Sequence, residues 1–177
     1  MRARKARLPD APRIYDLIAG HAAEQTLLPR SLPEICEHIR DFTVVEIWGK
    51  SVARPSEVVG CGALHLYGPD LAELRSIAVK RARQRQGAGQ RLVEILLAEA
   101  RAQGVGCVCL FTHIPEYFSR FGFVTVDHRS LPEKAWKDCF QCPRLHCCNE
   151  TAMVLGSLPT RVQPSEFSFV SLRSLPG

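Results

Sequence analysis

The feature that most constrains this chain is a glycine-containing turn between two segments with different hydrophobic periods. Residues 74–79 are mostly apolar and predict a buried strand, and residues 90–102 carry apolar side chains at helical spacing. Gly87 and Gly89 lie between them, and a glycine lets the backbone approach a ligand closely because it has no Cβ. The start of a helix also presents backbone N–H groups and the positive end of the helix dipole. The turn is therefore predicted to hold a phosphorylated ligand, and a plain strand-turn-helix is the alternative.

Two common phosphate-binding motifs do not fit this turn. The dinucleotide pattern G-x-G-x-x-G needs a third glycine where the chain has Leu92. A P-loop needs the full pattern G-x-x-x-x-G-K-S/T, which this turn lacks. The pattern that remains is Gln/Arg-x-x-Gly-x-Gly, in which Arg85 adds a positive charge.

This loop resembles the acetyl-CoA loop of the GNAT N-acetyltransferases. Residues 72–79 look like the fourth strand of that family, and residues 117–123 look like its aromatic and Gly-Phe segment. The resemblance covers roughly residues 1–156. It implies an α+β fold: a central mixed, mostly antiparallel sheet flanked by helices, with a splayed strand pair that holds acetyl-CoA. Residues 157–177 are rich in Pro and Ser and lack periodicity, so they are predicted to form a loosely held tail.

The composition fits one domain. A chain of 177 residues with 46% hydrophobic content supports one well-packed core. It has no run of eighteen apolar residues for a membrane span and no apolar segment after its basic start for a secretory signal. The net charge is +5 without a long basic run, which favours small acidic ligands over nucleic acid. We therefore expect a cytoplasmic protein with reduced cysteines and small-molecule partners, and a homodimer stays open.

Periodicity and turn residues predict the remaining elements. A helix is expected over residues 10–21 with Asp10 as its cap, and a second helix is expected after Ser31, with Glu34 in the capping-box position. Gly60 and Gly62 fall inside a predicted strand, where glycine indicates a bulge or a close backbone approach. The other predicted segments are strands at 43–48, 58–66, 105–111, 123–126 and 151–155, and a short helix at 115–120.

The family resemblance implies which residues contact the cofactor. Backbone groups at the end of the fourth strand would pair with the pantetheine amides and polarise the thioester carbonyl. The loop and the start of the next helix would hold the phosphates. The implied set is Ile77, Ala78, Val79, Gln84, Arg85, Gln86, Gly87, Ala88, Gly89, Gln90 and Phe118.

Acetyl transfer from a thioester to an amine needs a base for the amine proton. Glu73 is the candidate, acting directly or through water, and the alternative is a solvated turn residue. The general acid for the leaving thiolate is less constrained, because Phe118 stands where the family commonly has tyrosine. Tyr117, displaced by one position, is one candidate and His113 is a second. The thiolate can also leave without a side-chain acid, since a thiol pKa is about 8.5.

Three segments resemble the short, single-domain amino-acid N-acetyltransferases, which are similar to the transferase part of N-acetylglutamate synthases. These segments are residues 59–65, 73–79 and 117–123. The likeness implies glutamate as the acceptor and a reaction that opens arginine biosynthesis. Glutamate carries two carboxylates, which arginine binds in a bidentate manner. Arg30 and Arg75 are the predicted partners, and a surface ion pair is the alternative for each.

A cysteine-rich segment has spacing that suits a structural zinc ion. Cys139 and Cys142 form a C-x2-C pair, and Cys148 follows with His146 as a candidate fourth donor. The alternatives are small buried apolar side chains or a redox-labile surface loop. The transfer chemistry needs no metal, so such an ion would be structural. Four other cysteines are predicted to lie in the core: Cys36, Cys61, Cys107 and Cys109.

The sequence thus predicts an acetyl-CoA-dependent N-acetyltransferase that acts on a small amino acid, with glutamate first. One rival keeps the chemistry and changes the acceptor to an antibiotic, a polyamine or a protein amino terminus. The other rival is an acetyl-CoA-binding module without turnover, which the Phe118 departure keeps open.

Overall fold

The computed structural model describes residues 1–48, 56–132 and 148–159. The bounds of the strands are β1 Arg2–Lys5, β2 Phe42–Ile47, β3 Glu57–Leu66, β4 Leu71–Val79, β5 Cys107–Thr112, β6 Val124–Thr125 and β7 Thr151–Gly156. The bounds of the helices are α1 Ala11–Ala23, α2 Leu32–Glu37, α3 Ala88–Ala102 and α4 Pro115–Ser119. Short 3₁₀ turns occupy residues 8–10, 39–41, 81–83 and 128–130.

The described strands form one sheet in the order β1-β2-β3-β4-β5-β7-β6. All neighbouring strands are antiparallel except β4 and β5, which run parallel. The parallel pairing begins at Leu71 opposite Cys107 and ends at Glu73 opposite Cys109. Beyond Glu73 the two strands no longer pair, so a gap opens between the ends of β4 and β5. The predicted mixed, mostly antiparallel sheet with a splayed strand pair is confirmed.

Helices cover both faces of the sheet. On one face Ile14 and Ile18 of α1 and Ile35 of α2 pack with Cys61 and Ala63 of β3. On the other face α3 and α4 pack against the alternate residues of the same strands, since successive side chains of a strand point to opposite faces. The members of that second cluster include Leu64, Leu74, Val93, Leu96, Leu110 and Phe118.

The two strand glycines are explained by the close approach of α3. A Cβ on Gly60 would lie 3.3 Å from Leu92 Cδ1, and one on Gly62 would lie 3.1 Å from Leu96 Cδ1. The helix therefore packs directly over the β3 backbone, which confirms the predicted close approach. The pairing of β3 with β4 also shifts register between Cys61 and Ala63, where Ser76 adopts a φ of 55°.

Asp10 does not cap the first helix as predicted. Its side chain makes no cap hydrogen bond, because the carboxylate is held instead by Arg4 Nη1 at 2.7 Å and by the Arg7 backbone N–H at 2.8 Å. Ser31 does cap α2, since its Oγ accepts from the Glu34 N–H at 3.3 Å. The amino-terminal residues, predicted only as a basic segment, form edge strand β1, with Arg4 opposite Val44.

The four cysteines predicted to lie in the core occupy apolar surroundings. Cys61, Cys107 and Cys109 are buried, and Cys36 is partly buried against the apolar side chains of α1 and α2. Burial raises the pKa of the Cys61 thiol to about 12, so this thiol stays protonated and unreactive. Among the described residues, no helix combines the length and apolar character that crossing a membrane requires.

Candidate active site

The predicted anion-binding turn has the conformation that a phosphate site needs. Gly87 is the N-cap of α3 with a φ of 86°, in the left-handed region that favours glycine. Arg85 also has a positive φ, 59°. Arg85, Gln86 and Gly87 are exposed, so the first N–H groups of α3 are presented next to a solvent-facing cationic side chain. The strand, turn and helix are thus confirmed, and the turn is shaped for an anion.

The carbonyl of Val79 marks the start of this loop. The Lys80 N–H of the same peptide unit donates to Val59 on β3 at 2.8 Å, so the Val79 oxygen points the other way, toward the gap. It accepts from His21 Nε2 at 3.0 Å and from Gln84 Nε2 at 3.3 Å. A carbonyl has two acceptor lone pairs, so these bonds occupy it and tie the loop to α1. Ala78 is buried and Ile77 is partly buried, both on the same segment of β4.

Glu73 lies inside the protein, at the point where β4 and β5 separate. Glu73 is only 2% exposed, which excludes the alternative that it is a solvated turn residue. The Tyr67 hydroxyl donates to Glu73 Oε2 at 2.8 Å, and His65 stands opposite Glu73 on β3. A buried carboxylate beside the gap is suitably located to accept a proton from a bound amine.

Arg30 and Arg75 line one small pocket, although they are far apart in the chain. The Arg30 side chain is 13% exposed and pairs with Glu34, while the Arg75 side chain is 10% exposed and lies 3.9 Å from Asp41 Oδ2. Both are therefore more buried than an ordinary surface ion pair. The residues around the pocket are Arg30, Glu34, Ile35, His38, Phe42, Arg75 and Ser76.

A polar cluster that the sequence did not reveal adjoins this pocket. Asp41 Oδ2 accepts from His65 Nδ1 at 2.9 Å and lies 3.7 Å from His38 Nδ1. Burial alone would raise the pKa of the Asp41 carboxyl, but the bond from His65 and the charges of His38 and Arg75 hold it below its usual value. His38 and Asp41 are one helical turn apart, but only sheet pairing brings His65 to them.

His38, Asp41 and His65 form a donor set that could hold a divalent cation, since their ligand atoms lie within 4.8 Å of one another. The Arg75 guanidinium shares the Asp41 carboxylate, and a fixed positive charge at that distance opposes a second cation. Hydrogen bonds and ion pairing account for the cluster without a metal.

Tyr117 lies against the first turn of α3. A Cβ on Gly89 would stand 3.1 Å from the Tyr117 hydroxyl, and the Arg120 guanidinium lies 4.8 Å above the Tyr117 ring. Burial raises the pKa of Tyr117, and Arg120 only partly offsets this effect. The hydroxyl is therefore protonated at neutral pH and able to donate. Phe118 points elsewhere, into the core, and is 7% exposed.

His113 Nε2 is buried without a hydrogen bond among the described residues, and it lies 3.8 Å from Glu150 Oε1. Cys148 is exposed. Cys139, Cys142 and His146 lie outside the described residues, so the predicted zinc site remains a prediction.

A sheet that splays beside a glycine turn and a helix start is the arrangement of an acyl-CoA-dependent transferase. The profile of the Acetyltransferase (GNAT) family matches residues 14–123, and this chain belongs to that family. It is an acetyl-CoA-dependent N-acetyltransferase.

Individual proteins with similar sequences and structures agree with this assignment. An uncharacterized N-acetyltransferase of Chlorobaculum tepidum is 39% identical over 151 residues, covering 85% of this chain and 93% of its own. An amino-acid acetyltransferase of Mycobacterium tuberculosis is 36% identical, covering 70% and 68%. The crystal structure of N-acetylglutamate synthase from Neisseria gonorrhoeae, complexed with coenzyme A and N-acetyl-glutamate, has a TM-score of 0.76 at 28% identity. That comparison covers 90% of this chain and 35% of the synthase chain.

Proposed function

We propose that this protein transfers the acetyl group of acetyl-CoA to the α-amino group of a small amino acid, with L-glutamate the preferred acceptor. The observation that carries the proposal is the pocket that unites Arg30 and Arg75 beside the bulge at Ser76. Two arginine side chains that line one small pocket suit a ligand with two carboxylates, since a guanidinium binds a carboxylate in a bidentate manner. The amino-acid acetyltransferase and N-acetylglutamate synthase similarities support the same acceptor class.

Glu73 is the proposed general base. Glu73 and Arg75 are two positions apart on β4, so their side chains project on the same face of the strand. An acceptor held by Arg75 would therefore have its amine near the Glu73 carboxylate. Once the amine has lost its proton, it attacks the thioester carbonyl directly, and no covalent enzyme intermediate is formed.

The end of β4 is proposed to hold the reacting part of acetyl-CoA. The bulge at Ser76 interrupts the regular pairing with β3, and beyond Glu73 the edge facing β5 is unpaired. Backbone groups of Ile77, Ala78 and Val79 on that edge would pair with the pantetheine amides and polarise the thioester carbonyl. His21 and Gln84 already occupy the Val79 carbonyl, so we assign the ligand contact at this residue to its N–H.

The phosphates are assigned to the turn from Gln84 to Gln90. The N–H groups at the start of α3 and the Arg85 side chain provide partial and full positive charges there. Tyr117, which contacts the same helix start, is the proposed donor to the departing thiolate. Its protonated hydroxyl fits that role.

We also propose that the reaction belongs to arginine biosynthesis in the cytoplasm. The support is the similarity to N-acetylglutamate synthase, whose product is a glutamate bearing the same acetyl group that this chemistry would install.

An acceptor panel tests the proposal. Purified protein is mixed with acetyl-CoA and one amine at a time, and the released thiol is followed. We expect glutamate to give the highest kcat/KM, ahead of glutamine and lysine, with mass spectrometry showing acetyl on the α-nitrogen. Efficient use of an aminoglycoside, a polyamine or a peptide amino terminus instead would overturn the acceptor assignment, and no thiol release from any amine would favour a non-catalytic acetyl-CoA-binding module.

A further inference from the structure

We propose that Tyr67 is a positioning residue for Glu73, and that its hydroxyl holds the Glu73 carboxylate in the orientation that proton abstraction requires. This inference rests on the proposed function, in which Glu73 is the general base. Neither the loop motif nor the strand pattern singles out Tyr67, because it lies just beyond the end of β3.

The contact has the geometry of a strong hydrogen bond. Tyr67 Oη donates to Glu73 Oε2 at 2.8 Å, within the usual range for a hydroxyl donor and an oxygen acceptor. The Tyr67 backbone N–H donates to the Leu71 carbonyl at 2.9 Å, which closes the turn between β3 and β4. The hydroxyl is thus presented from a fixed turn, and its bond restricts rotation of the carboxylate.

The Tyr67 ring is itself held in place by the neighbouring polar cluster. The His65 imidazole meets it edge to face with ring centroids 5.3 Å apart, and Asp41 fixes that imidazole through the bond at Nδ1. His38 in turn packs edge to face on His65, at 5.5 Å. A chain of contacts from α2 and the following turn therefore supports the position of the Tyr67 hydroxyl.

Several titratable groups surround the Glu73 carboxylate. His65 faces it from β3, Arg75 projects on the same face of β4, and Cys109 stands opposite it on β5. Asp41 and His38 lie on the far side of His65. Burial disfavours the charged form of a carboxylate, and a hydrogen bond donated to that form opposes this effect. Tyr67 provides such a bond without adding a charge that would repel the positively charged amine before it loses its proton.

Tyr67→Phe tests the inference because it removes the hydroxyl and keeps the ring. We expect kcat to fall by about tenfold to a hundredfold, the effect of losing a hydrogen bond to a charged group. The KM values for glutamate and acetyl-CoA should change little, because Tyr67 does not line the acceptor pocket. The acid limb of the kcat/KM profile should move to higher pH, because the ionised base has lost a donor.

Tyr15→Phe is the matched control, since Tyr15 is 41% exposed on α1 and should leave every parameter unchanged. A fluorinated tyrosine at position 67 is a second probe that keeps the fold. Its hydroxyl is a stronger donor, so the acid limb should move to lower pH. An unchanged kcat and pH profile in both position-67 variants would overturn the positioning role.

The failure of this inference can be told apart from failure of the proposed function. If Glu73→Gln retains normal turnover, the general-base assignment fails and takes the positioning role with it. If Glu73→Gln is impaired while both position-67 variants behave as wild type, only the role of Tyr67 is wrong.

Discussion

The hydroxyl oxygen of Tyr117 lies 3.1 Å from the position that a Cβ atom on Gly89 would occupy. This distance is shorter than an ordinary van der Waals contact, so α4 is packed directly against the first turn of α3. The proposed acid and the proposed phosphate site are therefore in direct contact, and a substitution at one should alter the function of the other.

Gly89→Ala should weaken acetyl-CoA binding, because its methyl group displaces the Tyr117 hydroxyl and shifts the helix start. Tyr117→Phe removes the obstructing oxygen, so the double variant should recover part of the lost affinity. Calorimetric Kd values for the four proteins of this cycle should give a coupling free energy of about 0.5–1 kcal/mol or more. If the losses in binding free energy of the two single variants simply add in the double variant, the predicted coupling between Gly89 and Tyr117 is wrong.

Arg85→Ala should weaken acetyl-CoA binding roughly tenfold or more, since a hydrogen bond to a charged group contributes about 1.5–3 kcal/mol. Arg129→Ala is the control, because Arg129 is exposed on a 3₁₀ turn outside the phosphate turn. Isothermal titration calorimetry is the measurement. Equal acetyl-CoA affinities for the two variants would show that Arg85 does not contact the phosphates.

Gly87→Ala should also reduce acetyl-CoA affinity, for a conformational reason. A Cβ at Gly87 would meet nothing within 4 Å, but its φ is 86°, and a non-glycine residue pays about 1–2 kcal/mol in that region. The loop should relax and the melting temperature should fall. Gly68→Ala, in an open turn with no positive φ, should leave the Kd and melting temperature near wild type. A wild-type Kd for Gly87→Ala would show that the left-handed turn is dispensable.

Glu73→Gln should lower kcat by about 10²–10⁴, the usual contribution of a general base. The loss should become smaller at high pH, where more of the acceptor amine is already deprotonated. Acetyl-CoA affinity should not change, because Glu73 lies apart from the phosphate turn. Steady-state kinetics across the pH range, together with calorimetry, test these statements. A normal rate at neutral pH would exclude Glu73 as the base.

Arg30→Ala or Arg75→Ala should raise the glutamate KM about tenfold and narrow the preference over glutamine, because one carboxylate loses its guanidinium partner. Arg13→Ala is the control, since the Arg13 side chain is 74% exposed beside Asp16. Kinetics with both acceptors provide the measurement. If neither substitution changes the preference for glutamate over glutamine, the second carboxylate is bound elsewhere or the acceptor is different.

Arg4→Met should destabilise the fold by about 3 kcal/mol, because the carboxylates of Asp10 and Glu46 lose the Arg4 guanidinium as their cationic partner. The side chains of Asp10 and Glu46 are only 12% and 10% exposed. Arg4 holds the pKa of Asp10 below its usual value. The wild type should therefore lose stability as the pH falls below about 4, and the variant should lose less over that window. Urea unfolding at several pH values measures both effects. Equal stabilities at neutral pH would contradict the role of Arg4.

Much of the framework could be predicted from the sequence, because it depends on neighbouring residues. The change of hydrophobic period on either side of Gly87 predicts strand, turn and helix. The serine hydroxyl that caps α2 and the glycines that admit α3 are likewise readable from residue type and spacing. Asp10 shows the limit of that approach, because Arg4 competes for the carboxylate that was expected to cap α1.

The sequence by itself determined most of the elements and the glycine turn before α3, because backbone preference and periodicity act over a few residues. Tertiary structure decided which distant side chains meet. Sheet register places His65 opposite Glu73, and the turn after β3 brings the Tyr67 hydroxyl to that carboxylate. The packing of α2 against the sheet brings Arg30 and Arg75 around one pocket. These contacts join residues from separate elements, and their geometry depends on sheet pairing and helix packing that no local pattern specifies.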